Sequence, residues 1–193
     1  MPYAVELFLD EASAGLVDRA WQELERSGVS SYLAQSASRP HITLAIYDSV
    51  DMAAIQEKLE ALARQLSPFA VDLHGLGVFS GDADAVFLAA TVTQRLLAMH
   101  SLCHKCLADA CGPADLYYLP GNWVPHCTIA VDVSPSLTPK VVEICQRMDL
   151  PRKATIEHIG IVEFRPVRHL FCFPLNVSDP DLYGRCAAKR EDI

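Results

Sequence analysis

Two stretches of this chain repeat one pattern: a proline, a His-x-Thr triplet, an apolar residue and an alanine. The first is Pro40-His41-Ile42-Thr43-Leu44-Ala45, and the second is Pro125-His126-Cys127-Thr128-Ile129-Ala130. A paired match of this length in one chain of 193 residues predicts a duplicated structural element rather than a coincidence.

Both stretches alternate between polar and apolar side chains, which is typical of a half-buried β-strand. The apolar residues are expected to face the core, and they are Ile42, Leu44 and Ile46 in the first strand and Cys127, Ile129, Val131 and Val133 in the second. The opposite faces are expected to carry His41, Thr43, Ala45 and Tyr47, and His126, Thr128, Ala130 and Asp132. The alternation therefore places a histidine and a threonine side by side on each strand.

The repeat extends beyond the two triplets. Leu76-Gly77-Val78 resembles Ile159-Gly160-Ile161, and Val86-Phe87-Leu88 resembles Leu170-Phe171-Cys172 at a similar offset. Two equivalent halves of this kind predict an α+β fold with two pseudo-symmetric lobes and a central cleft between them. Each lobe is expected to be a mainly antiparallel sheet backed by helices, so that His41 and His126 face each other across the cleft.

Hydrophobic periodicity predicts the elements of these lobes. Helices are expected near residues 13–27, 52–66, 94–110 and 137–148, and strands near 5–9, 41–47, 69–79, 85–92, 126–133, 154–164 and 169–175. We expect residues 1–193 to form one domain, with lobe-forming repeats at about 4–79 and 85–175. The segment 177–193 loses its apolar periodicity and is expected to be a partly frayed tail.

Charge and composition exclude several classes of function. A net charge of −8 and a pI near 5.3 argue against a protein that holds a long nucleic-acid duplex, although a small phosphate ligand in a local pocket stays possible. No apolar run approaches a membrane span, and Met1-Pro2-Tyr3 opens no recognisable leader, so we expect a cytoplasmic protein. The seven cysteines form no disulfide framework and are expected to be reduced. The oligomeric state cannot be predicted.

The paired histidines carry the chemistry that the sequence predicts. Imidazole is neutral or charged near pH 7, so one ring can accept a proton from an attacking group while the other protonates a leaving oxygen. A threonine hydroxyl two residues along the same strand can donate to a phosphate oxygen. The alternative is a pair of structural histidines, which a matched pair on equivalent strands makes the weaker interpretation.

The two Pro-His-x-Thr strings, together with the length of the chain, resemble the 2H phosphoesterase superfamily, which includes 2′-5′ RNA ligase-like proteins and cyclic phosphodiesterases. The resemblance covers Val5 to about Leu175. It implies two pseudo-symmetric α/β lobes around a cleft and metal-independent phosphoester chemistry without a cofactor. The typical reaction is the opening of 2′,3′-cyclic or ADP-ribose 1″,2″-cyclic phosphates. His41, Thr43, His126 and Thr128 match the catalytic positions, but the resemblance does not tell which histidine is the acid.

Further residues are candidates for binding the substrate. Trp123 lies three residues before His126 and can stack on a base, and Tyr47 shares the predicted face of His41. Arg165 and Arg168 lie in a turn that differs from its acidic counterpart at residues 80–84, and they are hypothesised to anchor a phosphate. The alternative for this arginine pair is a solvated turn that balances Glu163.

A second cluster has the residue types of a zinc site but not the spacing. It comprises His100, Cys103, His104, Cys106 and Cys111. On a helix, however, Leu96, Met99, Cys103, Cys106 and Ala110 would form one buried stripe with His100 and His104 at its edge. We therefore predict core packing and no metal.

Three functional hypotheses remain. The first is a 2H-type phosphoesterase that acts on a small cyclic phosphodiester or on a 2′-5′ bond at an RNA end. The second is a nucleotide-binding module that uses the same cleft without turnover, and the third and weakest is a zinc protein. The presence of both histidines and both threonines favours the enzyme, because a protein that only binds needs no acid–base pair.

Overall fold

The protein is described here from a computed structural model, which covers residues 2–176. Its strands are β1 (Tyr3–Leu9), β2 (His41–Tyr47), β3 (Phe69–Phe79), β4 (Asp84–Ala90), β5 (His126–Val133), β6 (Lys153–Glu163) and β7 (Arg168–Pro174). Its helices are α1 (Glu11–Arg26), α2 (Tyr32–Gln35), α3 (Met52–Gln65), α4 (Gln94–Leu107) and α5 (Thr138–Arg147), with a 3₁₀ turn at Leu116–Tyr118. The predicted tail at 177–193 lies outside the described residues.

The strands form one sheet in which every pairing is antiparallel. The order is β2-β1-β6-β3-β4-β5, and β7 pairs with β6 beside this path. The two His-x-Thr strands, β2 and β5, therefore lie at the two ends of the path. The pairing of β1 with β2 and β6 is repeated by the pairing of β4 with β5 and β3. This confirms the predicted α+β fold of two pseudo-symmetric lobes with helix-backed antiparallel sheets.

Two of the strands are exchanged between the halves of the chain. β6 belongs to the second sequence repeat but pairs along the whole length of β1, and β3 belongs to the first repeat but pairs with β4. β3 and β6 also pair with each other through Phe69–Asp72. Each half of the sheet is therefore completed by a strand from the other repeat.

The helices α1, α3 and α4 begin at a side-chain cap that the sequence supplies, and each buries one apolar stripe. The Asp10 carboxylate accepts a hydrogen bond of 2.9 Å from the Ser13 backbone N–H at the start of α1, and Thr93 Oγ1 accepts one of 3.1 Å from Leu96 at the start of α4. α1 and α4 hold equivalent places after β1 and β4. The stripe of α1 includes Trp21, which reaches the candidate site.

The predicted elements are all present, with ends that move by a few residues. The short helix α2 and the 3₁₀ turn are not among them, because elements of four and three residues are too short to show a period. Both lie in the loops that lead to the His-x-Thr strands. Within residues 2–176, no helix has the length and apolar composition of a transmembrane segment.

Candidate active site

The site begins with a β-bulge in β2. Val5 of β1 pairs with Ala45, but the next residue, Glu6, pairs with Thr43, so Leu44 is an extra residue without a partner in the register. His41 and Thr43 precede this bulge along β2. The bulge shifts the alternation of side chains for the rest of the strand.

The same bulge occurs in β5. Val86 of β4 pairs with Ala130 and Phe87 pairs with Thr128, which leaves Ile129 as the extra residue. The two bulges fall at equivalent positions of the two repeated strings, immediately after the threonine. The apolar residue and the alanine that end each string are therefore both buried, at 0% exposure for Leu44, Ala45 and Ala130 and 1% for Ile129.

The bulges correct the predicted faces of both strands. Ile46 and Val131 were expected in the core, but each lines the cleft instead, because the alternation moves by one residue. Tyr47 was expected beside His41 as a substrate-binding residue, and it lies on the core side with 3% exposure. Its ring is 6.4 Å from that of His104, and burial raises the pKa of its hydroxyl. Tyr47 lines neither cavity of the cleft.

The two histidine rings are held by the same local hydrogen bond. Nδ1 of His41 lies 2.6 Å from the carbonyl oxygen of Arg39, and Nδ1 of His126 lies 2.7 Å from that of Val124. A carbonyl oxygen only accepts, so Nδ1 carries the proton in both rings and donates it. Nε2 is therefore the nitrogen of each ring that can exchange a proton with a substrate.

The two threonines are fixed by the two tryptophans of the chain. The indole N–H of Trp123 donates to the carbonyl oxygen of Thr43 over 2.9 Å, and that of Trp21 donates to the carbonyl oxygen of Thr128 over 3.1 Å. Trp123 belongs to the loop before β5 but holds β2, whereas Trp21 belongs to α1 but holds β5. Each His-x-Thr strand is thus tied to the opposite half of the chain.

Two adjoining cavities form the cleft. The larger, of about 720 Å³, is lined on its reactive side by His126 and Thr128 and elsewhere by Val78, Phe79, Ser80, Ala85, Tyr117, Tyr118, Asn122, Trp123, Val124 and Val131. The smaller, of about 180 Å³, contains Glu6, His41, Thr43, Thr128 and Arg165. Thr128 and Val131 line both cavities, so both His-x-Thr pairs border one continuous cleft.

The surroundings of the two histidines differ. Nε2 of His41 lies 3.3 Å from a carboxylate oxygen of Glu6, whose side chain is 7% exposed. The ring of His126 instead lies 5.0 Å from the rings of both Phe79 and Phe87. Burial lowers the pKa of both histidines, and the pKa of His126 is lowered further by His41. Burial raises the pKa of Glu6 to about 8.

The sequence analysis missed four of these residues. Glu6 stands in an otherwise apolar strand, Val5-Glu6-Leu7-Phe8-Leu9, and a charged residue at such a position was the available signal. Phe79 and Phe87 resemble ordinary strand residues in the sequence. Trp21 lies on the buried stripe of a helix, where nothing in the pattern distinguishes it from core.

The structure separates the three other proposed binding residues. Trp123 lines the larger cavity, but it is only 8% exposed and stacks on His100 with 4.0 Å between the ring centroids. Arg165 lines the smaller cavity, where it pairs with Asp132 at 3.3 Å and lies over the ring of Tyr32. Arg168 pairs with Glu163 at 3.2 Å and lines neither cavity.

The second histidine cluster is a set of backbone contacts. His100 was expected at the edge of the buried stripe of α4, but it lies within the core at 1% exposure. Its Nε2 lies 3.0 Å from the carbonyl oxygen of Leu44. Nε2 of His104 lies 2.9 Å from the carbonyl oxygen of Tyr118. In the part of the chain that the structure describes, no group of three or more His, Cys, Asp or Glu side chains has a metal-binding arrangement.

Comparisons with known proteins find a matching family and similar folds. A model of the 2′-5′ RNA ligase superfamily matches residues 11–167. The fold is similar to that of TT0787 of Thermus thermophilus, at 19% identity and a TM-score of 0.63, over 93% of this chain and 100% of that one. It is also similar to Escherichia coli LigT in complex with 3′-AMP, at 13% identity and a TM-score of 0.57, over 91% and 99% of the two chains.

A third similar structure is Usb1 of Kluyveromyces marxianus, at 14% identity and a TM-score of 0.52, over 90% of this chain and 98% of that one. The comparison with curated protein sequences gave no match. The family match spans most of the chain, including both His-x-Thr strands, and the structural neighbours share its fold over nearly their whole length. The chain belongs to the 2′-5′ RNA ligase superfamily of 2H phosphoesterases, a family of phosphodiester-processing proteins.

Proposed function

We propose that this protein is a metal-independent phosphoesterase that opens or hydrolyses a small cyclic phosphodiester, or a 2′-5′ phosphodiester at an RNA end. The candidate substrates are nucleoside 2′,3′-cyclic phosphates and ADP-ribose 1″,2″-cyclic phosphate. The observation that carries the proposal is the pair of His-x-Thr strands, which border one cleft and keep Nε2 of each histidine for proton transfer.

The catalytic residues of this proposal are His41, Thr43, His126 and Thr128. A phosphate that lies between the two histidines receives an attacking water on one side and loses a ribose oxygen on the other. One Nε2 takes the proton from the water, and the other gives a proton to the leaving oxygen. The threonine hydroxyls donate to the non-bridging oxygens, where negative charge increases as the new bond forms.

The larger cavity supports a nucleoside as the rest of the substrate. Its volume of about 720 Å³ lies in the range of small-molecule sites, and its walls carry Phe79, Tyr117 and Tyr118 beside His126. Aromatic rings of this kind provide faces on which a base can stack. LigT with 3′-AMP and Usb1 with uridine monophosphate are structures of the same fold, and both nucleotides have the proposed size. Arg165 in the smaller cavity and Trp123 in the larger cavity remain the proposed contacts with the substrate.

The proposed setting is the cytoplasm. The six cysteines within the described residues are free thiols, and such thiols persist in a reducing compartment.

A panel of substrates tests the proposal. Purified protein is incubated with the four nucleoside 2′,3′-cyclic phosphates, ADP-ribose 1″,2″-cyclic phosphate and a 2′-5′-linked oligonucleotide, and the products are separated by chromatography. AMP binding is measured in parallel by calorimetry. We expect turnover of at least one cyclic phosphate or of the 2′-5′ bond. AMP binding without turnover of any member would support the binding module instead.

A further inference from the structure

The pseudo-symmetry of the fold places Glu6 and Phe87 at the same position in the two halves. Glu6 pairs with Thr43 on one side and Gly160 on the other, and Phe87 pairs with Thr128 and Gly77. Both side chains lie next to the histidine of their own half. One half thus presents a carboxylate to its histidine, where the other half presents an aromatic ring.

A glycine of the neighbouring strand lies opposite each of these two positions. A Cβ at Gly77 would lie 2.3 Å from the ring of Phe87. Phe87 therefore lies directly over the glycine of its neighbouring strand. Glu6 is 6% exposed in the equivalent place, so its carboxylate is held in the wall of the cleft rather than in solvent.

The hydrogen bonds of His41 require a proton between it and Glu6. Nδ1 of His41 already donates to the carbonyl oxygen of Arg39, so in the neutral ring Nε2 is an acceptor. A carboxylate oxygen 3.3 Å away is also an acceptor, and two acceptors at this distance repel each other. A shared proton relieves the repulsion, whether it resides on the ring or on the carboxyl group.

Among residues 2–176, no carboxylate forms an ion pair with His126. Nδ1 donates to the carbonyl oxygen of Val124, and the two nearest aromatic rings, Phe79 and Phe87, disfavour a charge on the imidazole by excluding water. The neutral form of His126 leaves a lone pair on Nε2 at the edge of the larger cavity. This is the protonation state that a general base needs.

We propose that Glu6 is a positioning residue that keeps a proton at Nε2 of His41, which makes His41 the general acid and His126 the general base. The inference rests on the proposed function and assigns the roles that the symmetric motif leaves open. In hydrolysis, His126 takes a proton from water as the water oxygen bonds to phosphorus. The ribose oxygen leaves phosphorus and takes the proton from Nε2 of His41, and solvent then restores both protonation states.

Other charged groups surround the pair and do not replace Glu6. Arg39, in the loop before β2, and His169, on β7, both lower the pKa of Glu6, but the effect of burial is larger and raises that pKa to about 8. Arg165 lines the same cavity from the turn after β6. Tyr118 and His126 line the larger cavity, where Glu6 contributes to raising the pKa of Tyr118 after burial and His41 contributes to lowering that of His126 after burial. On β6, the residue that pairs with Glu6 is Gly160, which has no titratable side chain.

Histidine NMR on the protein without substrate tests the roles directly. Ring signals of His41 and His126 are followed against pH in the wild type, in Glu6→Gln and in Glu163→Gln. We expect wild-type His41 to lose the shared proton at a higher pH than His126 loses its own. Glu6→Gln is expected to lower the pH at the midpoint of the His41 titration by about one unit or more, because glutamine cannot share the proton. Glu163 is a matched control, since it is also buried but pairs with Arg168.

Kinetics give a second readout once a substrate is known. Glu6→Gln is expected to move the alkaline limb of the kcat profile to lower pH, so that kcat at pH 8 falls about tenfold or more. KM and the acid limb should change little, and Glu163→Gln should match the wild type.

Two results would overturn the inference: a His41 midpoint at or below that of His126 in the wild type, or a midpoint that does not move in folded Glu6→Gln. If Glu6→Gln fails to fold, the comparison of the His41 and His126 midpoints in the wild type still tests the inference. Because NMR needs no substrate, an inactive protein would contradict the proposed function without deciding the role of Glu6.

Discussion

Thr43 and Thr128 occupy the same place in the two strands, and each has its backbone carbonyl fixed by an indole N–H. That fixation leaves the side-chain hydroxyl as the group that is available to a ligand. Thr43 is 9% exposed and lines the smaller cavity, and Thr128 lines both cavities, so both threonines border the cleft. We propose that the two hydroxyls stabilise negative charge on the phosphate and contribute little to the stability of the fold.

Replacing either threonine by valine tests this separation. Thr43→Val and Thr128→Val keep the β-branched shape but remove the hydroxyl, so we expect kcat to fall about tenfold or more with little change in melting temperature. Steady-state kinetics and thermal unfolding measure the two quantities. Thr155→Val, on β6 away from both cavities, is the control. Unchanged activity in the Thr43→Val/Thr128→Val double variant would remove the threonines from the mechanism.

The rate should depend on pH in a way that follows from burial. Burial lowers the pKa of both His41 and His126, and at His41 the proton that we propose it shares with Glu6 opposes this effect. The histidine that acts as base must be neutral, so activity rises as pH increases through that lowered pKa, and it falls at higher pH when the acid loses its proton. Single-turnover rates between pH 4.5 and 9 are the measurement. A profile that is flat over this range would contradict two-histidine catalysis.

Single residues were predictable from the sequence only where the repeat marked them. The His41–Thr43 and His126–Thr128 pairs were found because the string occurs twice. Glu6 and Phe87 were missed, because their importance depends on which strand lies beside β2 and β5, and the pairing is set by the fold. Tyr47 was misplaced because a bulge depends on the partner strand as well as on its own sequence.

Among the elements, the two bulged strands are held by contacts from the opposite half. The loop before β5 supplies Trp123 to β2, and α1 supplies Trp21 to β5. These contacts explain why the chain keeps both tryptophans buried, at 8% and 4% exposure. A shift in either contact would move a threonine and its histidine together.

Removal of an indole N–H should therefore affect both stability and rate. We expect Trp123→Phe and Trp21→Phe each to lower the free energy of unfolding by about 1–3 kcal/mol, since a buried carbonyl loses its donor. We also expect kcat to fall, because the threonine beside the phosphate is less well placed. Urea unfolding and steady-state kinetics measure these effects. Tyr117→Phe, at an exposed position of the larger cavity, should change neither the stability nor the fold of the strands. Wild-type values in both tryptophan variants would show that these hydrogen bonds do not support the site.

For the whole molecule, the exchange of β3 and β6 joins the two sequence repeats into one sheet. The repeats and their order could be predicted from landmarks such as Gly77 and Gly160, because a duplicated sequence shows its own period. The exchange itself could not, because an antiparallel neighbour leaves no signal in the strand that it pairs with. That residues 1–193 form a single domain remains a prediction.

Cooperative unfolding tests this prediction. If each half is completed by a strand from the other, neither half is stable alone, and the protein should unfold in one transition. Trp123→Phe leaves Trp21 on α1 as the one tryptophan, and Trp21→Phe leaves Trp123 in the loop before β5, so each variant reports on one half of the chain. In each variant, fluorescence and far-ultraviolet circular dichroism should give the same urea midpoint. Two separate transitions would mean that the repeats fold as independent units.

The central claim is that His41 and His126 together process a phosphodiester. Its most direct test is the turnover of the best substrate of the panel by His41→Ala and His126→Ala, with His74→Ala, at an exposed position of β3, as the control. We predict that each cleft variant keeps its fold and loses about 100-fold or more in kcat, because each removes one of two proton transfers. The His74→Ala variant should retain wild-type activity. A folded His41→Ala or His126→Ala variant with a near wild-type kcat would contradict the claim.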